Sequence, residues 1–206
     1  MRNELYADSR DELKWTVATR NAQMRNQAIR WVTMYRPNIN RHGNGVELVP
    51  NSSLVVTQFF EQERQAFQAG FLPDLRRIIP LGQQLGIEIE MNLQEYPQSI
   101  NARLRYIEAE LHFLRNRVEN RNHFVLIDPD NGIGRSHNDG KQFHEDHVPL
   151  IWNNLREEDT LGIVQFQYRE ADWVNQRRQN LVRLLGLQEE QVSSDSWNNV
   201  CIFTIH

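Results

Sequence analysis

Residues 123–127 read HFVLI, and four of the five are large and apolar. Two later stretches, LGIVQFQY (161–168) and NVCIFTIH (199–206), are nearly as continuous in their apolar character. A strand with one face in water alternates apolar and polar residues, whereas a strand buried on both faces does not. Short runs of this kind therefore belong inside a sheet that is covered on both sides. Between them lie segments with helical spacing. The clearest is 101–120, where Leu104, Ile107, Leu111, Leu114 and Val118 share one face. Helices alternating with doubly buried strands predict an α/β three-layer sandwich. Its central sheet is mainly parallel, with about five strands, in one domain spanning 1–206.

The remaining elements fit this pattern. SRDE at 9–12 reads as a capping box, Ser9 with Glu12, opening a helix that runs to about Met24. AIRWVTMYR (28–36) is a strand, 37–53 a turn-rich loop, and 58–69 and 73–85 are helices broken at Gly70 and Pro73. GIEIEMNL (86–93) is a short strand. A polar loop over 128–143 leads into a helix at 144–155, and another helix spans 171–185.

Bulk properties exclude several classes. No apolar run approaches the roughly 18 residues of a membrane span, and the N-terminus lacks a signal peptide's apolar stretch, so a cytoplasmic protein with no membrane partner is expected. One cysteine, Cys201, rules out an internal disulfide framework and a multi-cysteine zinc site. A net charge of −4 argues against indiscriminate nucleic-acid binding but leaves room for a local basic groove. Of 23 basic residues only Lys14 and Lys141 are lysines. Where arginine is the default cation, a lysine marks a position that calls for a compact point charge; codon bias is the alternative.

In a parallel sheet, ligands sit beyond the carboxyl ends of the strands. DPDNG (128–132) occupies such an end, as do Gln165, Gln167, Arg169 and His206. Pro129 forces Asp128 out of helical geometry and Gly132 permits a left-handed step. Asp128, Asp130 and Asn131 would thus be presented rigidly, to activate water, hold a metal or stabilise positive charge; a simple Asx turn is the alternative. Asp8, Asp11 and Lys14 cluster on the first helical turn, where acids and three-residue ion pairs are also ordinary surface features. HNDGKQFHEDH (137–147) holds three histidines but matches no sharp metal signature, so a polar loop entering a helix is preferred and no metal is assigned. Gln165 and Gln167 would share a strand face and could read a base edge or close a polar network. Trp31, Phe166 and other aromatics serve the core or stack on a base. Neither G-x-G-x-x-G nor a P-loop occurs, which counts against nucleotide cofactors and methyl transfer; no cofactor is expected.

The blocks Y-A-D-x-x-D-x-x-K (6–14), DPDNG (128–132), Lys141, and Gln165 with Arg169 and Glu170 together resemble a family of small bacterial α/β proteins. The Asp-Pro turn is similar to the water-activating turn of uracil-DNA glycosylases, and the last strand, ending in His206, is loosely similar to their late histidine. Ile127 and Asp130 stand where those enzymes carry glutamine and tyrosine, and their His-Pro-Ser motif does not occur. The resemblance implies a prokaryotic antiviral DNA glycosylase acting on modified phage DNA, on a base such as glucosylated hydroxymethylcytosine. On this reading Asp128, Asp130 and Asp11 are catalytic. Asp8, Lys14, Asn131, Lys141, Gln165, Gln167 and Arg169 bind substrate, and Arg36, Arg41, Arg135 and Arg169 are candidates for phosphate contacts. A Rossmann-like methyltransferase or nucleotide-processing enzyme is the alternative, and a non-enzymatic binding module the third. The oligomeric state is not legible from the sequence.

Overall fold

The computed structural model describes residues 7–34, 49–72, 74–97, 99–117, 121–134, 142–167 and 171–206. Among the described residues six strands form the central sheet, in the order β2-β1-β3-β6-β8-β7. The parallel part is β2 (Ile89–Asn92), β1 (Ala28–Val32), β3 (His123–Ile127) and β6 (Thr160–Phe166). β8 (Val200–Ile205) runs antiparallel to β6, and β7 (Val192–Trp197) antiparallel to β8. The fold is α/β, with a mainly parallel sheet flanked by helices. No helix among the described residues is long and apolar enough to cross a membrane.

The doubly buried strands have a direct consequence: there are two cores. Phe124 and Leu126 of β3 pack on one face against Trp15, Val17 and Ala18 of α1 (Ser9–Arg25) and Phe60 of α2 (Leu54–Gln68). Leu81 of α3 (Ile79–Leu85) joins the same core. Val125 and Ile127 pack on the other face with Ile107 and Leu111 of α4 (Ile100–Arg115), Ile151 of α5 (His147–Trp152) and Leu181 of α6 (Trp173–Leu185). Parity along a strand therefore decides which layer a side chain meets.

Several expectations change. The sheet has six strands rather than about five. β7, with the sequence VSSDSW, is a polar edge strand with little apolar signal. It is fixed by a two-residue hairpin, Asn198-Asn199, with Asn198 at φ +51. Because β8 is antiparallel, His206 emerges at the amino end of the parallel strands, 3.5 Å from Thr160, away from DPDNG. His206 therefore does not share the strand end that carries DPDNG, where the sequence reading puts it. α1 is capped by Asp8, whose side chain accepts from the N–H groups of Arg10 and Asp11, and not by Ser9. α2 begins at Leu54 behind Ser53. The segment expected to be a plain loop contains two short paired strands, β4 (Ile133–Gly134) and β5 (Phe143–His144). His144 thus lies on a strand instead of a helix.

The order β2-β1-β3 means that the chain winds outward from β1 and then returns across it. The reversal between β1 and β3 is where doubly wound sheets open a crevice at their carboxyl ends. Asp128 directly follows β3 there, and its N–H continues the ladder by donating to Val32 O at 3.1 Å.

Candidate functional site

Parity aims Asp128 at the α1 layer, two residues beyond Leu126. There it meets the first turn of α1. Lys14 Nζ donates to Asp128 Oδ2 at 2.7 Å and to Asp11 Oδ1 at 2.5 Å. Trp31 Nε1, on β1, donates to the same Asp128 Oδ2 at 3.0 Å, and the Lys14 ammonium lies 5.0 Å from the Trp31 ring centroid. The side chains of Asp11, Lys14 and Asp128 are each 5% exposed or less. Asp11 Oδ2 also accepts from the Ala7 N–H at 2.8 Å. Ala7 has φ +73, a left-handed conformation that costs a non-glycine residue roughly 1–2 kcal/mol. That cost is met in part by the hydrogen bond to Asp11.

With both carboxylates ionised, the Asp11–Lys14–Asp128 group has one more negative than positive charge. Burying that surplus is unfavourable, and uptake of one proton removes it. Burial accordingly pushes Asp11 up to about 7; Lys14 opposes the shift, and Asp8 and Asp128 reinforce it. Burial also raises Asp8, against the opposing N–H groups at the helix start. Burial alone would lower Lys14, but Asp11 and Asp128 outweigh it and hold the ammonium above its ordinary range.

These residues border a cavity of about 50 Å³, lined by Asp8, Arg10, Asp11, Lys14, Asp128, Pro129, Asp130, Val164 and Phe166. It is large enough for several waters. Arg10 lies over Phe166, 5.3 Å from the ring centroid. The site thus combines a proton-sharing carboxylate, a fixed ammonium, a second carboxylate (Asp130) at the turn, and an aromatic wall backed by a guanidinium.

The residues singled out from the sequence divide into groups. Asp8, Asp11, Lys14, Asp128 and Asp130 come together in this cavity. Asn131 is exposed at the tip of the turn. Gln165 points to the opposite face of β6, where its Oε1 accepts from Ile133 N–H at 2.7 Å and its Nε2 donates to Ile133 O at 3.4 Å. It clamps the far side of the DPDNG turn. Gly132, at φ +77, makes room for it, since a Cβ there would lie 2.5 Å from Gln165 Oε1. Gln167 lies past the end of β6, exposed, with its backbone N–H donating to Asn199 O at 2.8 Å. Lys141 and Arg169, with Arg36, Arg41 and Arg135, lie outside the described residues. Among the described residues no group of three His, Cys, Asp or Glu side chains is placed to hold a metal ion.

Sequence reasoning missed three contributors. Trp31 was only one aromatic among many; its role comes from the register Trp31↔Leu126, which sets it beside Asp128. Arg10 and Phe166 meet only because α1 packs across the carboxyl end of β6. No protein-family model matches the chain, and no curated protein matches it.

Proposed function

We propose that the protein is a hydrolase of N-glycosidic bonds. Its substrate on this reading is DNA carrying a modified cytosine, such as glucosylated hydroxymethylcytosine of phage DNA, and its product is an abasic site. The observation that carries the proposal is the buried Asp11–Lys14–Asp128 network beside Asp130, at the end of a parallel strand, with Asp11 able to exchange a proton near neutral pH.

Breaking a base from deoxyribose builds positive charge on the sugar and sends the bonding electron pair to the base. Asp130, on the rim of the cavity, is suited to face the sugar. Water attacks C1′ as the C–N bond breaks, and its proton passes to the Asp11–Lys14–Asp128 network. Lys14 and Arg10 supply positive charge toward the departing base, and Phe166 offers a stacking surface to a flipped nucleotide. Lys14, held between two carboxylates, keeps its proton and is no Schiff-base nucleophile. The reaction therefore ends at the abasic site without strand cleavage.

The test is incubation with duplex DNA containing plain, hydroxymethylated or glucosylated cytosine. Mass spectrometry would score free base, and alkali would reveal abasic sites. Release from modified DNA, with strands intact until alkali and no borohydride-trapped adduct, supports the reading. No base release from any of the three overturns it.

One observation favours a second reading. The site lies at the reversal point of a doubly wound sheet, where nucleotides commonly bind. A nucleotide-processing or methyl-transfer enzyme would show a thermal shift with nucleotides or S-adenosylmethionine that Asp128→Asn removes.

A further inference from the structure

A second cavity, of about 420 Å³, lies at the opposite end of the sheet. It is lined by Glu88, Glu90, His112, Phe113, Asn116, Arg117, Arg121 and His123. His123 opens β3 and Asp128 follows its end, so the two sites are about 16 Å apart at ~3.3 Å per residue. The volume falls in the range of pockets that take small molecules.

The charges around it can be paired off. Arg30 donates to both oxygens of Glu110, at 3.1 and 3.2 Å. Arg117 donates to both oxygens of Asp159, at 3.1 and 2.7 Å, and its Nε to Leu114 O at 2.9 Å. Arg121 pairs with Glu88. Each of these arginines has its own carboxylate. Among the described residues Glu90 closes no such pair; its ion-pair contact is with His123, whose Nε2 is 3.5 Å from Glu90 Oε2, while Arg30 and Arg117 also act on it electrostatically.

His123 does not cancel that charge. Its Nδ1 lies 2.8 Å from Arg117 Nη1, and a guanidinium can only donate. Nδ1 is therefore the acceptor, and the ring's proton sits on Nε2, toward Glu90. A second proton on Nδ1 would point at the arginine. His123, together with the charges of Arg30 and Arg117, outweighs burial and holds the Glu90 carboxyl below its usual range, so it stays ionised at neutral pH. Glu90 is thus a partly exposed carboxylate at the cavity wall that closes no arginine pair among the described residues, and its buried Oε2 has no hydrogen-bond partner there. Phe113 stands beside it, with Arg30 3.8 Å from its ring centroid and its ring 6.0 Å from that of His123.

We propose that this cavity binds a small organic ammonium ion, its charged head on Glu90 and its apolar body along Phe113. The ion supplies the counter-charge that the three closed arginine pairs leave missing. The site is separate from the Asp11–Lys14–Asp128 centre and does not depend on the reaction catalysed there.

Benzylammonium chloride is the probe, titrated against the whole protein by calorimetry and by ¹⁵N NMR of the histidine rings. Saturable binding that shifts the His123 signals, with His123 in the Nε2–H tautomer, is the expected result. Glu90→Gln weakens it about ten- to a hundredfold, while Asp128→Asn leaves it unchanged. Benzyl alcohol, with the same shape but no charge, binds the unaltered protein more weakly by a similar factor. This comparison stands even if the Glu90 variant misfolds. The proposal is overturned by equal binding of benzyl alcohol, by retained affinity in Glu90→Gln, by an Nδ1–H tautomer, or by no saturable shift at millimolar probe.

Discussion

Replacing Lys14 by methionine tests the buried network most sharply. The side chains are similar in length, and methionine fills irregular space well, so packing changes little. What changes is electrostatic. Two carboxylates, Asp11 and Asp128, lose the ammonium that stood 2.5 and 2.7 Å from them, in a site where all three side chains are 5% exposed or less. Removing one partner of a buried charge network leaves an uncompensated buried charge and costs about 3–5 kcal/mol. The protein can reduce that cost by binding protons. Without Lys14, which opposes the upward shift, burial holds the Asp11 carboxyl still further above its unfolded-chain value. A folded-state pKa raised in this way gives stability that is present at low pH and lost as pH rises. The deficit of Lys14→Met relative to the parent should therefore be largest near about pH 8 and much smaller near about pH 5. Urea unfolding at the two values, followed by tryptophan fluorescence, measures it. A deficit below about 1 kcal/mol that does not vary with pH would instead mark Lys14 as part of an ordinary exposed ion pair, with no buried network.

Other variants probe neighbouring contacts. Trp31→Phe removes the indole N–H from Asp128 and should cost about 1.5–3 kcal/mol in thermal or urea unfolding. Gly132→Ala must displace Gln165 from Ile133 and hold φ +77 against a Cβ, so a loss of more than about 1 kcal/mol is expected; Gln165→Leu should reproduce much of it. In the parent protein, Asp11 should titrate with a midpoint near 7, visible as a carboxyl ¹³C transition, because burial holds it there. Base release should follow the same midpoint. A transition at the ordinary aspartate position would remove Asp11 as the proton carrier.

The fold was largely legible because doubly buried strands leave a strong imprint. FVLI cannot be satisfied except between two layers, and the helix carrying Ile107, Leu111 and Leu114 declares its face. The edge strand VSSDSW left no such imprint, because a strand that buries one face weakly looks like a loop. The direction of β8 was equally hidden, since a buried apolar run reads the same in either direction, and His206 was misplaced as a result. Within the site, Lys14 stands out as one of two lysines and DPDNG as a rigid turn at a strand end, whereas Asp8 and Asp11 look like ordinary acids at a helix start. Their convergence was not legible, because it depends on α1 crossing the carboxyl end of β3. Gln165 shows the limit most clearly. Its type suggested a base reader, but its odd position on β6 turns it toward the α6 layer, where it is occupied by the Ile133 backbone.

Hydrolysis of modified DNA by the carboxylates gathered at the end of β3 is the proposed activity. Single-turnover base release from glucosylated-cytosine DNA, compared among the parent, Asp128→Asn and Asp130→Asn, tests it most directly. The parent should release base and the variants should fall by about 10²–10⁴-fold while still melting cooperatively. Full activity in both variants would contradict the proposal.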